Sequence, residues 1–170
     1  MPRNAARALR YMDRYLTVSQ GEVFYVTEAM AKLERLERGP SGNTAMAAAM
    51  SLARDLPREA AVVVQETEYT GAGKHQWAQL NFAREMGVEV RVGDPAESVP
   101  GKSIIIPERP EQIRAKEMDP GRMRKSYVRN ALQHAPDGYV VTAEDIQFLA
   151  EDTNSTPSAV EEIIAELAAG

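Results

Sequence analysis

A chain of 170 residues, 44% hydrophobic and 26% charged, is long enough to bury a core and short enough to be one domain with a small appendage. No run approaches the roughly eighteen apolar residues of a membrane span, and the Arg-bearing amino terminus lacks a signal-like apolar stretch, so no membrane is expected and the protein is expected in the cytoplasm. Zero cysteines exclude disulfides, thiolate nucleophiles and cysteine metal ligands, two histidines are too few for a histidine-rich metal site, and a net charge of −5 argues against general nucleic-acid binding. The charge is uneven: Arg3, Arg7, Arg10 and Arg14 crowd the start, and no Lys or Arg follows Arg129. Such asymmetry marks either a docking face or a solvated surface.

Residues 4–17 carry Ala5, Leu9, Met12 and Leu16 on one stripe, which predicts an amphipathic helix. The Ser19-Gln20-Gly21 step breaks it. A second helix is expected over 22–38, with Val23, Val26, Met30, Leu33 and Leu36 inside, stopped by Gly39-Pro40. The turn GPSGNT then opens an alanine-rich helix over 45–55, capped by Ser41 or Asn43. Its small residues permit close packing. The run AAVVVQ is short, continuous and β-branched, the pattern of a parallel strand covered on both faces, expected at 61–65. A second glycine turn, EYTGAGKH, precedes a helix over 75–86; strands follow at 88–92 and 103–106. This order predicts an α/β fold with a short, mostly parallel sheet of about three strands flanked by helices.

Beyond Pro107, Pro110 and Pro120 the pattern becomes helical, so residues 1–118 are expected to form the α/β part and 119–170 a helical carboxyl-terminal tail. Helices are predicted at 121–133, from Thr142 (capped with Asp145) through Glu151, and from Thr156-Pro157 onward. The last two have the spacing of a helix-turn-helix. Glu161, Glu162 and Glu166 on the second helix would repel DNA, so the pair reads as a packing module.

A glycine turn at a helix start presents backbone N–H groups and the positive end of the helix dipole, which makes Ser41, Gly42, Asn43 and Thr44 a candidate substrate or anion site. A glycine turn beyond a strand's carboxyl end is a second candidate, at 70–74. The alternative that both are ordinary loops stands beside these. The second turn is not a nucleotide-binding P-loop, because Glu68 replaces the first glycine and His75 the Ser or Thr after the lysine. Ser41 sits in no nucleophile elbow. Glu66 and Glu68 read either as an acid–base pair or as solvated turn acids.

The succession PSGNTAMAAAMSLARDL, AAVVVQE, TGAGKH resembles the late part of the cofactor domain in fold-type II pyridoxal phosphate enzymes, the threonine synthase and cysteine synthase group. More narrowly, residues 18–134 resemble the carboxyl-terminal part of the beta subunits of 2-amino-4-oxopentanoate thiolases, enzymes of ornithine degradation. The resemblance implies pyridoxal phosphate as cofactor and coenzyme A as co-substrate, with 2-amino-4-oxopentanoate cleaved to alanine and acetyl-CoA. It implies that Thr70 bonds the pyridine nitrogen while Gly71 and Gly73 let the backbone approach the ring. The catalytic lysine of that family has no counterpart in a recognisable setting, so the catalytic residues are unknown and no metal is implied. Family members extend well before these motifs, so the chain is expected to be one portion of a larger or split enzyme, inactive alone. Its expected partners are further copies, or the remaining amino-terminal portion and a smaller alpha subunit. The rival reading is a non-catalytic docking protein that uses its first helix and acidic tail.

Overall fold

The computed structural model describes residues 8–66 and 75–169. They form two compact units, one from residues 16–116 and one from the described parts of 1–15 and 117–170.

The first unit begins at helix α2 (Gln20–Ala29). Its start is set by a capping box. Ser19 Oγ accepts the Glu22 N–H at 3.3 Å, and Glu22 Oε2 accepts the Ser19 N–H at 2.6 Å. Gly21 is therefore inside the first turn, where the sequence pattern suggested a break. Its lack of a side chain serves packing: a Cβ there would lie 1.8 Å from the Ile105 carbonyl oxygen, so the helix backbone rests directly on a strand. Beyond Ala29 the helix continues as one π turn, Met30–Glu34, and stops at Arg35 in the left-handed region at φ 58°. The expected inner stripe fails here. Val23 and Val26 are buried, but Leu33 and Leu36 are exposed, because the wider turn rotates everything after it off the apolar face.

Helix α3 (Asn43–Ala53) packs on α2 through Val23, Val26 and Ala47, with Ile113 closing the cluster. Arg54 at its end donates to the Glu111 carbonyl at 2.6 Å and to the Ile113 carbonyl. Helix α4 (His75–Glu85) leads through Gly87, at φ 79°, into strand β2 (Glu89–Val92). Strand β3 (Ser103–Ile106) pairs with β2 in parallel, Glu89 opposite Ser103 and Val92 opposite Ile106. Phe24 of α2, Leu80 of α4 and Ile104 of β3 make a second core cluster. The two remaining strands, β1 (Leu16–Thr17) and β4 (Lys116–Glu117), form a separate pair.

The described residues are thus mixed α/β, with four strands in two pairs where about three mostly parallel strands were expected. The difference lies at residues 61–65. They make no ladder, and Ala61, Val62, Val63 and Gln65 are exposed. A continuous apolar run becomes a strand only when neighbours pair its edges and cover its faces. No described residue supplies those neighbours.

In the second unit α1 is a single described turn, Ala8–Tyr11. The helix expected over 4–17 does not continue: residues 12–15 leave it, and the Arg14 guanidinium forks onto Glu117 at 3.0 and 2.8 Å. Helices α5 (Pro120–Gln133), α6 (Ala143–Asp152) and α7 (Pro157–Ala169) surround Val128, Leu149, Ala150 and Val160. Arg124 caps the end of α6 by donating to the Thr153 and Asn154 carbonyls, each at 3.0 Å. Arg10 reaches Glu151 at 3.1 Å and the fully buried Asp152 at 3.5 Å, which also accepts the Tyr127 hydroxyl at 2.7 Å.

The start of α6 carries a pH-dependent contact. The Thr142 N–H and then the Tyr139 hydroxyl, both donating to Asp145, hold its carboxyl down at about 2. A carboxyl lowered by folding adds stability that is complete above its ordinary value near 4 and is lost as pH falls toward 2. Hydrogen exchange of the first turn of α6 is expected to accelerate between about pH 4 and 2 beyond the intrinsic rate. In Asp145→Asn that acceleration is expected to vanish, and an unchanged profile would assign it to another group.

Candidate functional site

The turn before α3 is closed by its own backbone. The Asn43 N–H donates to the Gly39 carbonyl at 3.2 Å and the Thr44 N–H to the Ser41 carbonyl at 3.3 Å. The residue that precedes the helix is Gly42, with no side-chain cap; Ser41 and Asn43 do not serve as caps. Asn43 instead folds back beneath the turn, where its Nδ2 donates to the Gly39 carbonyl at 3.3 Å and the Arg38 carbonyl at 3.5 Å. Thr44 Oγ1 donates to the Pro40 carbonyl at 3.3 Å. Ser41 and Thr44 are exposed, and Gly42 and Asn43 are buried.

Asn43 is fully buried, and its Oδ1 has no hydrogen-bond partner among the described residues. An unpaired buried acceptor costs free energy, about 1–3 kcal/mol, unless a donor arrives. The atom can take an N–H or an O–H. It cannot take a carboxylate oxygen.

Arg38 joins this turn to the segment that leads toward the second. Its Nε lies 3.7 Å from Glu66 Oε2 across a half-buried pair. The structure therefore gives the Glu66 carboxylate a cation, Arg38, the residue immediately before the turn at 39–44. In the sequence Arg38 reads only as the last residue of the helix expected over 22–38. Thr70, Gly71, Gly73, Lys74 and Glu68 lie outside the described residues.

Among the described lysines none is buried. Lys32 pairs with Glu28 at 2.7 Å, Lys125 pairs with Glu166 at 2.8 Å, and Lys102 and Lys116 are exposed. No described lysine thus has the desolvated setting that turns an ammonium into a nucleophile near neutral pH. Among the described residues no helix is long and apolar enough to cross a membrane.

No family model and no solved structure matches the chain. Two curated relatives do. Each is called 2-amino-4-ketopentanoate thiolase beta subunit; one, from an unidentified prokaryote, is 60% identical over 167 residues, and one, from Acetoanaerobium sticklandii, is 52% identical over 167 residues. Each match covers 98% of this chain and 35% of the relative. The chain thus spans about a third of the length of proteins named as thiolase beta subunits, and it is similar to them throughout that third.

Proposed function

We propose that this chain is the portion of a thiolase beta subunit that walls one side of a pyridoxal phosphate site, in an enzyme that cleaves 2-amino-4-oxopentanoate with coenzyme A to alanine and acetyl-CoA. The observation that supports this most is identity of 52–60% across nearly the whole chain with two proteins of that name. We assign it to the cytoplasm, in a complex with the remaining beta-subunit polypeptide and an alpha subunit.

The residues present suit one wall of such a site. Asn43 Oδ1, a buried acceptor near a helix start with no partner among the described residues, supports a role in taking an N–H or O–H from the rest of the site. The exposed Ser41 hydroxyl can donate to a substrate carboxylate. Arg38 pairs with Glu66, four residues before Thr70 in the sequence. Thr70 would orient the pyridine nitrogen, and Gly71 and Gly73 would leave space for the ring. When bound, pyridoxal phosphate supplies the electron sink for the carbon from which the acetyl group departs. The described residues contain no buried lysine, so the lysine that anchors the cofactor is assigned to the rest of the subunit.

The test is a titration with pyridoxal phosphate followed by visible absorbance, on this chain alone and on this chain co-purified with the rest of the A. sticklandii beta subunit. A cofactor band is expected only in the co-purified sample, and coenzyme A-dependent release of alanine from that sample once the alpha subunit is added. Thr70→Ala in that sample is expected to lower kcat by about 100-fold with cofactor still bound, the scale of losing one aimed hydrogen bond. A band from this chain alone would move the anchoring lysine to Lys74. No band in a verified assembly would overturn the thiolase reading.

A further inference from the structure

Residues 61–65 are an apolar, β-branched run held in water. Val63 is 95% exposed, Val62 is 41% exposed, and among the described residues the segment makes no backbone hydrogen bond. Its two ends are nonetheless fixed. Ala60 donates its N–H to the Pro57 carbonyl at 2.9 Å, and Glu66 is held by Arg38. The same unit carries other unfinished apolar surface: the parallel pair β2–β3 leaves Val92 59% exposed at one end, and Phe82 of α4 and Met86 just past its end are exposed. Parallel sheets are stable with both faces covered, and two strands alone are marginal.

We infer that residues 61–65 are a strand that forms only on docking, paired into a sheet completed by the polypeptide that occupies the other two-thirds of the relatives. This rests on the reading of the chain as part of such a subunit. Two observations favour that occupant over a second copy. First, Ala61, Val62, Val63 and Val64 are apolar without alternation, so both faces of the strand want cover. Edge pairing between two copies would satisfy one edge and leave both faces wet. Second, in both relatives the stretch that matches this chain is 35% of the length, so a body of polypeptide about twice its size accompanies it there.

The experiment co-expresses tagged chain with the polypeptide of the A. sticklandii beta subunit that lies outside the matched stretch, and reads retention, size and hydrogen exchange. The wild-type chain is expected to retain it in equal amount, with the amides of residues 62–65 slowed at least ~100-fold relative to the chain alone. Val63→Pro removes one ladder N–H at a position that bonds no described residue, so the melting temperature of the chain alone should not move while retention falls at least ~10-fold. Val63→Thr keeps the β-branch and should retain the partner. Equal retention by Val63→Pro, amides that stay fast in the complex, or no retention by the wild type would each overturn the inference. So would self-association of the chain alone that Val63→Pro abolishes without affecting the partner, since the occupant would then be a second copy. A protected assembly without a cofactor band would sink the thiolase chemistry and leave the docking strand standing.

Discussion

Gly21→Ala is expected to destabilise the chain by about 3 kcal/mol or more, the upper range for forcing volume into a packed interface. The added carbon would sit 1.8 Å from the Ile105 carbonyl oxygen and 2.4 Å from its carbon, and both are backbone atoms that cannot swing aside. Relief requires α2 to lift from β3, which opens the cluster of Phe24, Leu80 and Ile104. Urea unfolding followed by circular dichroism measures the loss. Gly101→Ala is the control: nothing lies within 4 Å of a Cβ there, but φ is 75°, so only the left-handed strain of about 1 kcal/mol applies. Equal losses in the two variants would show that α2 does not rest on the strand as described.

Glu22→Ala is expected to cost about 3 kcal/mol, because one buried carboxylate satisfies two separated parts of the chain. Its Oε2 takes the Ser19 N–H and its Oε1 takes the Arg114 N–H, both at 2.6 Å, and the side chain is 3% exposed. The charge sits in the first turn of α2, where the helix dipole favours it. Truncation strands two N–H donors together. Glu22→Gln is the sharper variant: it keeps the shape and one oxygen but sets an amide N–H against a backbone N–H. It is expected to lose about 1–3 kcal/mol in the same unfolding assay. A Gln variant as stable as wild type would mean that one of the two contacts is dispensable.

Several misreadings trace to particular residues. Ser19-Gln20-Gly21 looked like a helix break and is a helix start, because glycine's meaning depends on what lies against it, here Ile105. Leu33 and Leu36 fit the α-helical stripe of α2 and are exposed, because a π turn changes the period after Met30. The arginine-rich start read either as a docking face or as a solvated surface; among the described residues Arg10 and Arg14 pair with Glu151, Asp152 and Glu117 of the same chain. At the candidate site the GPSGNT turn and its helix were legible. That Asn43 turns inward and leaves Oδ1 unpaired was not, because amide orientation depends on the carbonyls of Arg38 and Gly39, which local sequence does not place.

The sequence by itself determined the elements whose signals are local: the helices at α3, α4, α5, α6 and α7, the Thr142–Asp145 capping box, and the parallel strands β2 and β3. Caps, turn glycines and apolar period act within a few residues, so they read directly. Tertiary packing settled the close approach of α2 to β3, the second acceptor role of Glu22, and the Arg38–Glu66 pair. Each joins residues far apart in the chain. It also decided that residues 61–65 carry a strand's composition without a strand's pairing, since a strand exists only where another supplies its hydrogen bonds.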